Sequence, residues 1–325
     1  MLFSRWAIAA LVAALPVSAL TTPALAQADW PNHGVRIIVP VPAGSSADLL
    51  ARIYAKGLQE KFGQPFVIEN RVGASHNIGA ELFSRAAPDG YTLLTAPPPS
   101  LAVNKYLFPK LGYDPEAFVP VTVMADVPTV LALRPGLDFK DIPALIAYAK
   151  ANPGKLTYAS TGKGSTLHLA AEAFKNKTGV DMLHVPFTGV TQVVTELQAG
   201  RVDLTFAPLL DLFPSLQSGA LRALAVGSEA PSLELPGVPT IGSVLPGYVS
   251  TAWFAVAAPA KTPLPLAEKI SAEIRAAFEQ PDARKAFANL HAVPVLNSAV
   301  DAAAYIKKDS LRWKEVIVAN KIEGE

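Results

Sequence analysis

Cysteine is absent from all 325 residues of this chain. Its absence excludes a disulfide framework and a lipid-modified N-terminal cysteine, and it argues against a structural zinc site. Neither positive nor negative charge is in excess, because the formal net charge is +1, and the sequence contains no basic cluster. Nucleic acid is therefore not expected as a partner. Half of the residues are hydrophobic, and the chain is long enough for two domains with ordinary cores.

Catalytic signatures are missing as well, beginning with the G-x-S-x-G nucleophile turn. Residues 162–165 (GKGS) resemble the end of a phosphate-binding P-loop, but Thr157 stands where that motif needs its first glycine. A dinucleotide fingerprint fails because Leu167 replaces the third glycine. The five histidines show no H-x-x-x-H spacing. We therefore expect no cofactor, no metal ion and no enzymatic activity.

The N-terminal segment has the composition of a secretory signal peptide. Residues 1–5 carry one positive charge, residues 6–20 are apolar, and residues 24–26 (ALA) form a small-residue cleavage site. A retained membrane anchor is the weaker interpretation, because the apolar run is short and Pro16 interrupts it. We predict that residues 1–26 are removed and that the mature chain is soluble in the periplasm.

The most informative stretch, residues 35–62, has the pattern of a strand, a tight loop and a helix. Residues 35–41 are apolar and mostly β-branched, and apolar residues recur at helical spacing over residues 50–62. Between them, Ser45 fits a helix N-cap and Asp48 the acidic position of a capping box. N–H groups at a helix N-terminus lack intrahelical partners and can hold an anion. For Asp48, capping is favoured over direct ligand contact, which would suit a ligand that also bears an ammonium group.

A second strand, glycine-rich loop and helix begin at residue 156. At an offset of 120 (164 minus 44), residues 164–171 align with residues 44–51 in the pattern G-S-[S/T]-x-[D/H]-L-x-A. Two such loops indicate two halves that face each other across a cleft, and convergent use of good capping residues is the alternative. His168 takes the place of Asp48. It could donate to a carboxylate, or it could be a half-buried histidine that caps a neighbouring carbonyl.

The order of the predicted elements suggests two domains. Strands alternate with helices, which predicts a mostly parallel sheet with helices on both faces. Two apolar stretches, residues 121–133 and 250–257, are candidates for crossings between the domains. We therefore predict a discontinuous α/β domain wrapped around a continuous one. The first comprises residues 27–127 plus 250–325, and the second residues 128–249.

Several motifs together resemble the tripartite tricarboxylate transporter substrate-binding proteins, the Bug family of periplasmic receptors. The resemblance covers nearly all of the mature chain. It is carried by PVPAGSSADLLAR at residues 40–52, VIENRVGASHNIGAE at 67–81, APDGYTLL at 87–94, ASTGKGSTLHLAAEAF at 159–174 and HVPFTG at 184–189.

The resemblance implies a two-domain α/β periplasmic-binding-protein (Venus flytrap) fold, with a small organic carboxylate held in a cleft between the domains. Matching positions place three groups of residues at that cleft. The first side comprises Gly44, Ser45, Ser46, Ala47 and Asp48. The opposite side comprises Ser160, Thr161, Gly162, Gly164, Ser165 and His168. Weaker candidates for the distal part are Thr95, Ala96, Phe187, Phe206 and Ala207.

Three departures from the family pattern lie in loops expected near the cleft. The family usually has Gly-Gly where this chain has Gly44-Ser45, and a glycine-rich run where it has residues 74–76 (ASH). The third is the triple proline at residues 97–99, within a segment (residues 96–100) expected to be a stiff loop after a strand. The ligand is therefore expected to differ from the common di- and tricarboxylates, and the departures leave open whether a carboxylate is bound at all.

The function that the resemblance implies is a receptor, which delivers its ligand to membrane permease subunits or reports it to a sensor kinase. The receptor is expected to be a monomer. Two other functions stay open: an extracytoplasmic interaction protein with a modified pocket, and a secreted enzyme that acts on a carboxylate. Aliphatic diacids, triacids, aromatic acids, amino acids and amides all remain candidate ligands.

Overall fold

The computed structural model describes residues 30–324. The strands are β1 Val35–Val39, β2 Phe66–Asn70, β3 Thr92–Ala96, β4 Val119–Leu133, β5 Thr157–Ser160, β6 Leu183–Pro186, β7 Leu204–Pro208, β8 Arg222–Val226, β9 Thr251–Ala258 and β10 Val293–Pro294. The helices are α1 Ser46–Phe62, α2 Asn77–Ser84, α3 Asn104–Leu107, α4 Ile142–Ala151, α5 Thr166–Thr178, α6 Val190–Gln198, α7 Leu209–Gln217, α8 Leu264–Phe278, α9 Pro281–Ala288 and α10 Ala299–Ala319.

The strands form a mixed sheet in the order β2-β1-β3-β9-β4-β7-β5-β6, with β10 and β8 also paired to β4. The expected parallel pairing is present at both ends, where β1 pairs with β2 and β3, and β5 pairs with β6 and β7. The middle of the sheet differs from the prediction, because β4 and β9 run antiparallel to their neighbours. These two strands carry the chain in opposite directions between the two ends.

The long strand β4 changes its partner halfway along. Its first part pairs with β9 as far as Pro128, which lies opposite Thr251, and its second part pairs with β7 from Thr129, which lies opposite Pro208. Proline has no N–H for a ladder hydrogen bond, so it is tolerated where pairing is interrupted. Thr129 also donates from Oγ1 to the Ser250 carbonyl at 2.9 Å. Both parts of the sheet belong to one compact unit that begins at Pro31.

Among residues 30–324, buried hydrophobic clusters lie on either side of this change. One contains Trp253 and Trp313, whose indole N–H groups both donate to Asp309 Oδ2, at 2.7 and 2.9 Å. The other is built around the fully buried rings of Phe174 and Phe206. Buried indoles are stable when their N–H groups find acceptors, which explains an acidic side chain in the first cluster.

The proline segment is not the loop that was expected. Ala96 is the last residue of β3, and after two intervening prolines Pro99–Val103 form a π-helical turn that continues into α3. Proline fits the first turn of a helix because the N–H it lacks would have no intrahelical partner there. The stiff loop therefore shrinks to residues 97–98, and α3 is a helix that the sequence did not predict.

None of the helices within residues 30–324 is both long enough and apolar enough to cross a membrane. In the same residues, no group of three or more histidine and acidic side chains is arranged to hold a metal ion. The expected signal peptide, residues 1–26, lies outside the described residues.

Candidate ligand site

Loop 1, residues 40–45, connects β1 to the N-terminus of α1. Gly44 has a left-handed φ of +81°, and its N–H donates to Asp48 Oδ2 at 2.8 Å. Arg52 donates to both oxygens of that carboxylate, at 2.8 and 3.0 Å, and Asn70 Nδ2 donates to Oδ1 at 3.0 Å. Burial alone would raise the pKa of Asp48, but these hydrogen bonds and the Arg52 charge outweigh it and hold the pKa below its usual range. Asp48 is thus a buried, neutralised anchor for loop 1.

The predicted capping box is wrong in its serine half. Ser45 is the N-cap with extended backbone, but its side chain caps nothing, and Oγ is buried without a hydrogen-bond partner among the described residues. The left-handed turn at Gly44 presents the N–H of Gly44 to Asp48, while the N–H of Ser45 donates to the Pro42 carbonyl at 3.3 Å. The carboxylate therefore bonds one residue earlier than a standard capping box requires.

Loop 2, residues 161–165, connects β5 to α5 and repeats this geometry. Gly164 has a φ of +75°, and its N–H donates to His168 Nδ1 at 3.3 Å. Here the serine does cap the helix, since Ser165 Oγ accepts from the His168 N–H at 3.3 Å. Burial, followed by the neighbouring His184, lowers the pKa of His168 to about 4. A neutral imidazole that accepts at Nδ1 carries its proton on Nε2. At Nδ1, His168 therefore caps an N–H group, which is neither of the two roles predicted for it, donation to a carboxylate or capping of a carbonyl.

A cavity of about 300 Å³ lies between loop 2 and the loops at the other end of the sheet. Its walls come from loop 2, from loop 3 (residues 71–76, between β2 and α2), from the proline turn with α3, and from single residues of loop 1 and the segment after β6. The lining residues are Pro42, Val72, Gly73, Ser75, His76, Pro99, Asn104, Leu107, Thr161, Lys163, Gly164, Ser165 and Thr188. Among these described residues none is acidic, and Lys163 is the one with a full positive charge.

A larger cavity of about 450 Å³ lies on the far side of loop 2. It shares Lys163 with the first cavity, but both acidic and basic side chains line it. Glu172 in its wall already accepts from Tyr158 Oη and Lys175 Nζ, both at 2.7 Å. We place the candidate site in the smaller cavity because loops from both ends of the sheet line it. The fully charged side chain in its described wall, Lys163, is positive.

The predicted site residues separate into three groups. Those that line the smaller cavity are Thr161, Gly164 and Ser165. Those that shape its loops without lining it are Gly44, Ser45, Ser46, Ala47, Asp48, Ser160, Gly162, Phe187 and His168. In the last group Thr95, Ala96, Phe206 and Ala207 are all fully buried in β3 and β7.

This last group differs from the expectation that the strand ends line the distal part of the site. The Thr95 hydroxyl is bonded to Tyr54 Oη at 2.6 Å, and Phe206 packs in the second core cluster. The chain continues past both strand ends into helical turns that cover them, so these side chains serve the core.

Most of the residues that line the smaller cavity were not predicted from the sequence. The composition of residues 74–76 and the triple proline had marked loop 3 and the proline turn as unusual, and both do line the cavity. Lys163 lies between Gly162 and Gly164, which were both predicted to be site residues. Asn104 gave no signal, because it lies on α3, which was not predicted. Its place in the wall follows from tertiary packing alone.

Comparison with known proteins identifies the group to which this chain is related. The model of the tripartite tricarboxylate transporter family receptor matches residues 50–322. The protein BugT of Bordetella pertussis is 36% identical over 307 residues, which cover 94% of this chain and 92% of BugT.

Two solved structures have the same fold. R. palustris Rpa4515, solved with adipate, is 35% identical, with a TM-score of 0.81 over 91% of this chain and 99% of that one. MatC (Rpa3494) from Rhodopseudomonas palustris, with bound malate, is 30% identical, with a TM-score of 0.77 over 89% and 100%. The predicted periplasmic-binding-protein fold is confirmed. The chain belongs to the tripartite tricarboxylate transporter family of receptors.

Proposed function

We propose that this protein is a periplasmic solute-binding receptor that captures a small organic carboxylate in the 300 Å³ cavity. The observation that carries the proposal is the composition of the cavity wall. Loop 2 brings the N-terminus of α5 and the Lys163 side chain to a wall that has no acidic residue among those described. Relatives with the same fold were solved with adipate and malate, which are both carboxylates.

The binding energy is sufficient for a receptor. Hydrogen bonds to a charged group contribute about 1.5–3 kcal/mol each, and a helix N-terminus adds about 0.3–1 kcal/mol. Gly164 and Ser165 immediately precede a 13-residue helix, Thr166–Thr178, and the first N–H groups of a helix have no acceptor within the helix itself. Four or five such contacts, less the entropy of capture, correspond to a dissociation constant on the order of micromolar.

Residues 27–127 plus 250–325 are proposed as one lobe and residues 128–249 as the other. The change of partner on β4 between Pro128 and Thr129, and the start of β9 at Thr251, support this division. A ligand that touches both lobes only when they are close together would favour the closed form.

Within the site, we propose that Thr161, Gly164 and Ser165 contact the carboxylate, and that Asp48 and His168 hold the two loops in shape. Both helper side chains accept the N–H of a left-handed glycine four residues earlier. Each acceptor holds the glycine turn of its loop in place, and neither side chain lines the cavity.

Binding can be tested by isothermal titration of the chain from residue 27 onward with aliphatic, aromatic and hydroxylated carboxylates. We expect a dissociation constant on the order of micromolar for at least one class. Lys163→Met should weaken that binding about three- to tenfold, because it removes the one full positive charge among the described wall residues. Lys155→Met is the matched control, since Lys155 is exposed and lies outside the cavity wall. Equal effects of both variants, or no binding by folded protein, would contradict the carboxylate site.

We further propose that the receptor acts as a monomer and delivers its ligand to membrane permease subunits, with a sensor kinase as the alternative recipient. The family to which the chain belongs supports a transporter partner. Uptake of a labelled, confirmed ligand should fall in cells that lack the gene. Unchanged uptake together with a lost transcriptional response would favour the sensor. Chemical conversion of the ligand during incubation would instead point to an enzyme.

A further inference from the structure

Asn104 lies in the wall of the ligand cavity. Its side-chain NH2 group donates two hydrogen bonds, whereas its side-chain oxygen accepts none from the described residues. The residue is only 1% exposed. Its Nδ2 donates to the Ser75 carbonyl at 2.8 Å and to Asn77 Oδ1 at 2.7 Å. Both partners are acceptors, so the orientation of the amide is fixed and Oδ1 is the atom left over. That oxygen is buried and has no hydrogen-bond partner among the described residues.

His76 supplies a second unused polar atom in the same wall. Its side chain is half-buried, and Nδ1 is shielded from solvent without a hydrogen-bond partner in the described part of the chain. Burial lowers the pKa of His76 to about 4, so the imidazole is neutral near pH 7. A neutral imidazole can donate or accept at Nδ1, according to its tautomer.

The backbone that presents His76 is strained. Ala74, Ser75 and His76 have φ angles of +46°, +53° and +75°, a left-handed conformation that is unfavourable for residues with a side chain. The Asn104 bond to the Ser75 carbonyl helps to hold this turn in place. Buried polar atoms without partners and a strained turn are both uncommon, and both concentrate at functional sites.

From these two atoms we infer the chemical class of the ligand: a carboxylate whose other end is a neutral group that both donates and accepts hydrogen bonds, a carboxamide or a hydroxyl. This inference rests on the proposed function and deepens it. Asn104 Oδ1 can only accept, so it requires a donor from the ligand. His76 Nδ1 then completes the contact with the ligand oxygen.

A second carboxylate fits this end poorly. It carries acceptors only, and it would face the Asn104 oxygen while Lys163 is the single cation among the described wall residues. An ammonium group would donate, but no acidic side chain among those residues compensates its charge. The wall is therefore complementary to one negative charge and one neutral polar group.

The test uses probes that differ only at the distal end. The chain from residue 27 onward is titrated calorimetrically with adipate, its monoamide, 6-hydroxyhexanoate and hexanoate, and the series is repeated with four- and five-carbon acids. We expect the monoamide or the hydroxy acid of one length to bind about tenfold or more tighter than both the diacid and the plain acid, because sites built for a polar group reject analogues that leave their buried atoms unpaired.

The variant His76→Gly removes the imidazole and suits the left-handed backbone, so it should fold at least as stably as the wild type. We expect it to lose most of the preference, because the affinity for the monoamide or hydroxy acid should fall much further than the affinity for the plain acid. His76→Asn, which tolerates the same backbone and keeps a donor and an acceptor, should restore part of the preference. Ala74→Gly is the matched control, because it relieves the same kind of strain outside the cavity wall and should leave the preference intact.

The outcomes separate the two proposals. Equal or tighter binding of the diacid would overturn the inference about the distal group and leave the carboxylate receptor standing. A preference that survives in His76→Gly would overturn the role of His76. Failure of the folded protein to bind any of the acids would overturn the inference about the distal group, and the wider panel of aliphatic, aromatic and hydroxylated carboxylates would decide separately whether the receptor stands.

Discussion

Loops 1 and 2 have almost the same backbone, but the side chains that hold them differ in charge. In each, a left-handed glycine donates its N–H to the side chain four residues later, and an extended serine precedes the helix. In loop 1 that side chain is the ionised Asp48, which is compensated by Arg52. In loop 2 it is the neutral His168.

The same loop geometry therefore serves two roles, lining the cavity in loop 2 and supporting the structure in loop 1. Behind loop 1 an ion pair, Asp48 with Arg52, holds the turn, whereas behind loop 2 a neutral imidazole holds it without any charge. Loop 2 contributes four residues, Thr161, Lys163, Gly164 and Ser165, to the cavity wall, and loop 1 contributes only Pro42. We infer that loop 2 is the anion anchor and that loop 1 is mainly structural.

The largest expected effect comes from substituting the paired glycines. In Gly164→Ala the new methyl group would lie 2.2 Å from Leu107 Cδ1, whereas at Gly44 it would meet nothing within 4 Å. Both variants strain a left-handed backbone, so Gly44→Ala should lower the free energy of unfolding by about 1 kcal/mol and Gly164→Ala by about 3 kcal/mol. Urea denaturation measures both. Equal losses would show that the Leu107 contact does not distinguish the loops.

An acid titration should separate the two loops next. The folded-state pKa of His168 lies below the usual value of 6.5, so its contribution to stability is complete above pH 6.5 and is lost as the pH falls towards 4. Between pH 7 and pH 5 this loss should be about 2 kcal/mol for each such histidine, and His76 adds a second contribution of the same sign.

Asp48 responds in a lower window. Its folded-state pKa is below the usual 3.8, so its contribution persists throughout this range and is lost only under more acidic conditions. Urea denaturation of His76→Gly and of His168→Gln at pH 7 and pH 5 would apportion the loss. A wild type whose stability does not change between these pH values would contradict the buried neutral histidines.

The smallest effect should distinguish the two serines. Ser165 Oγ accepts from the His168 N–H, so Ser165→Ala should cost about 1 kcal/mol. Ser45 Oγ has no partner among the described residues, and Ser45→Ala should therefore be close to neutral. Thermal unfolding of the two variants side by side provides the measurement. A larger loss for Ser45→Ala than for Ser165→Ala would contradict the difference in capping between the two serines.

Much of this architecture could be predicted from local pattern. The strand, glycine turn and helix around Gly44 and Gly164 depend on residues close together in the chain, and the alignment at a fixed offset predicted their common geometry. The bond that Ser45 was expected to make could not be checked locally. Whether Asp48 reaches the N–H of Ser45 or Gly44 depends on the exact turn and on the pull of Arg52 and Asn70.

By itself the sequence determined the family, the alternation of strands and helices, and the two loops whose helix termini can hold an anion, because these depend on short-range periodicity, capping residues and glycines. Only the tertiary structure decided which side chains complete the site. Asn104 and His76 meet in one wall because α3 folds back onto loop 3, and Thr95 and Phe206 leave it because their strand ends are covered. Contacts between residues that are distant in the chain follow from how the core packs, and no local pattern records them.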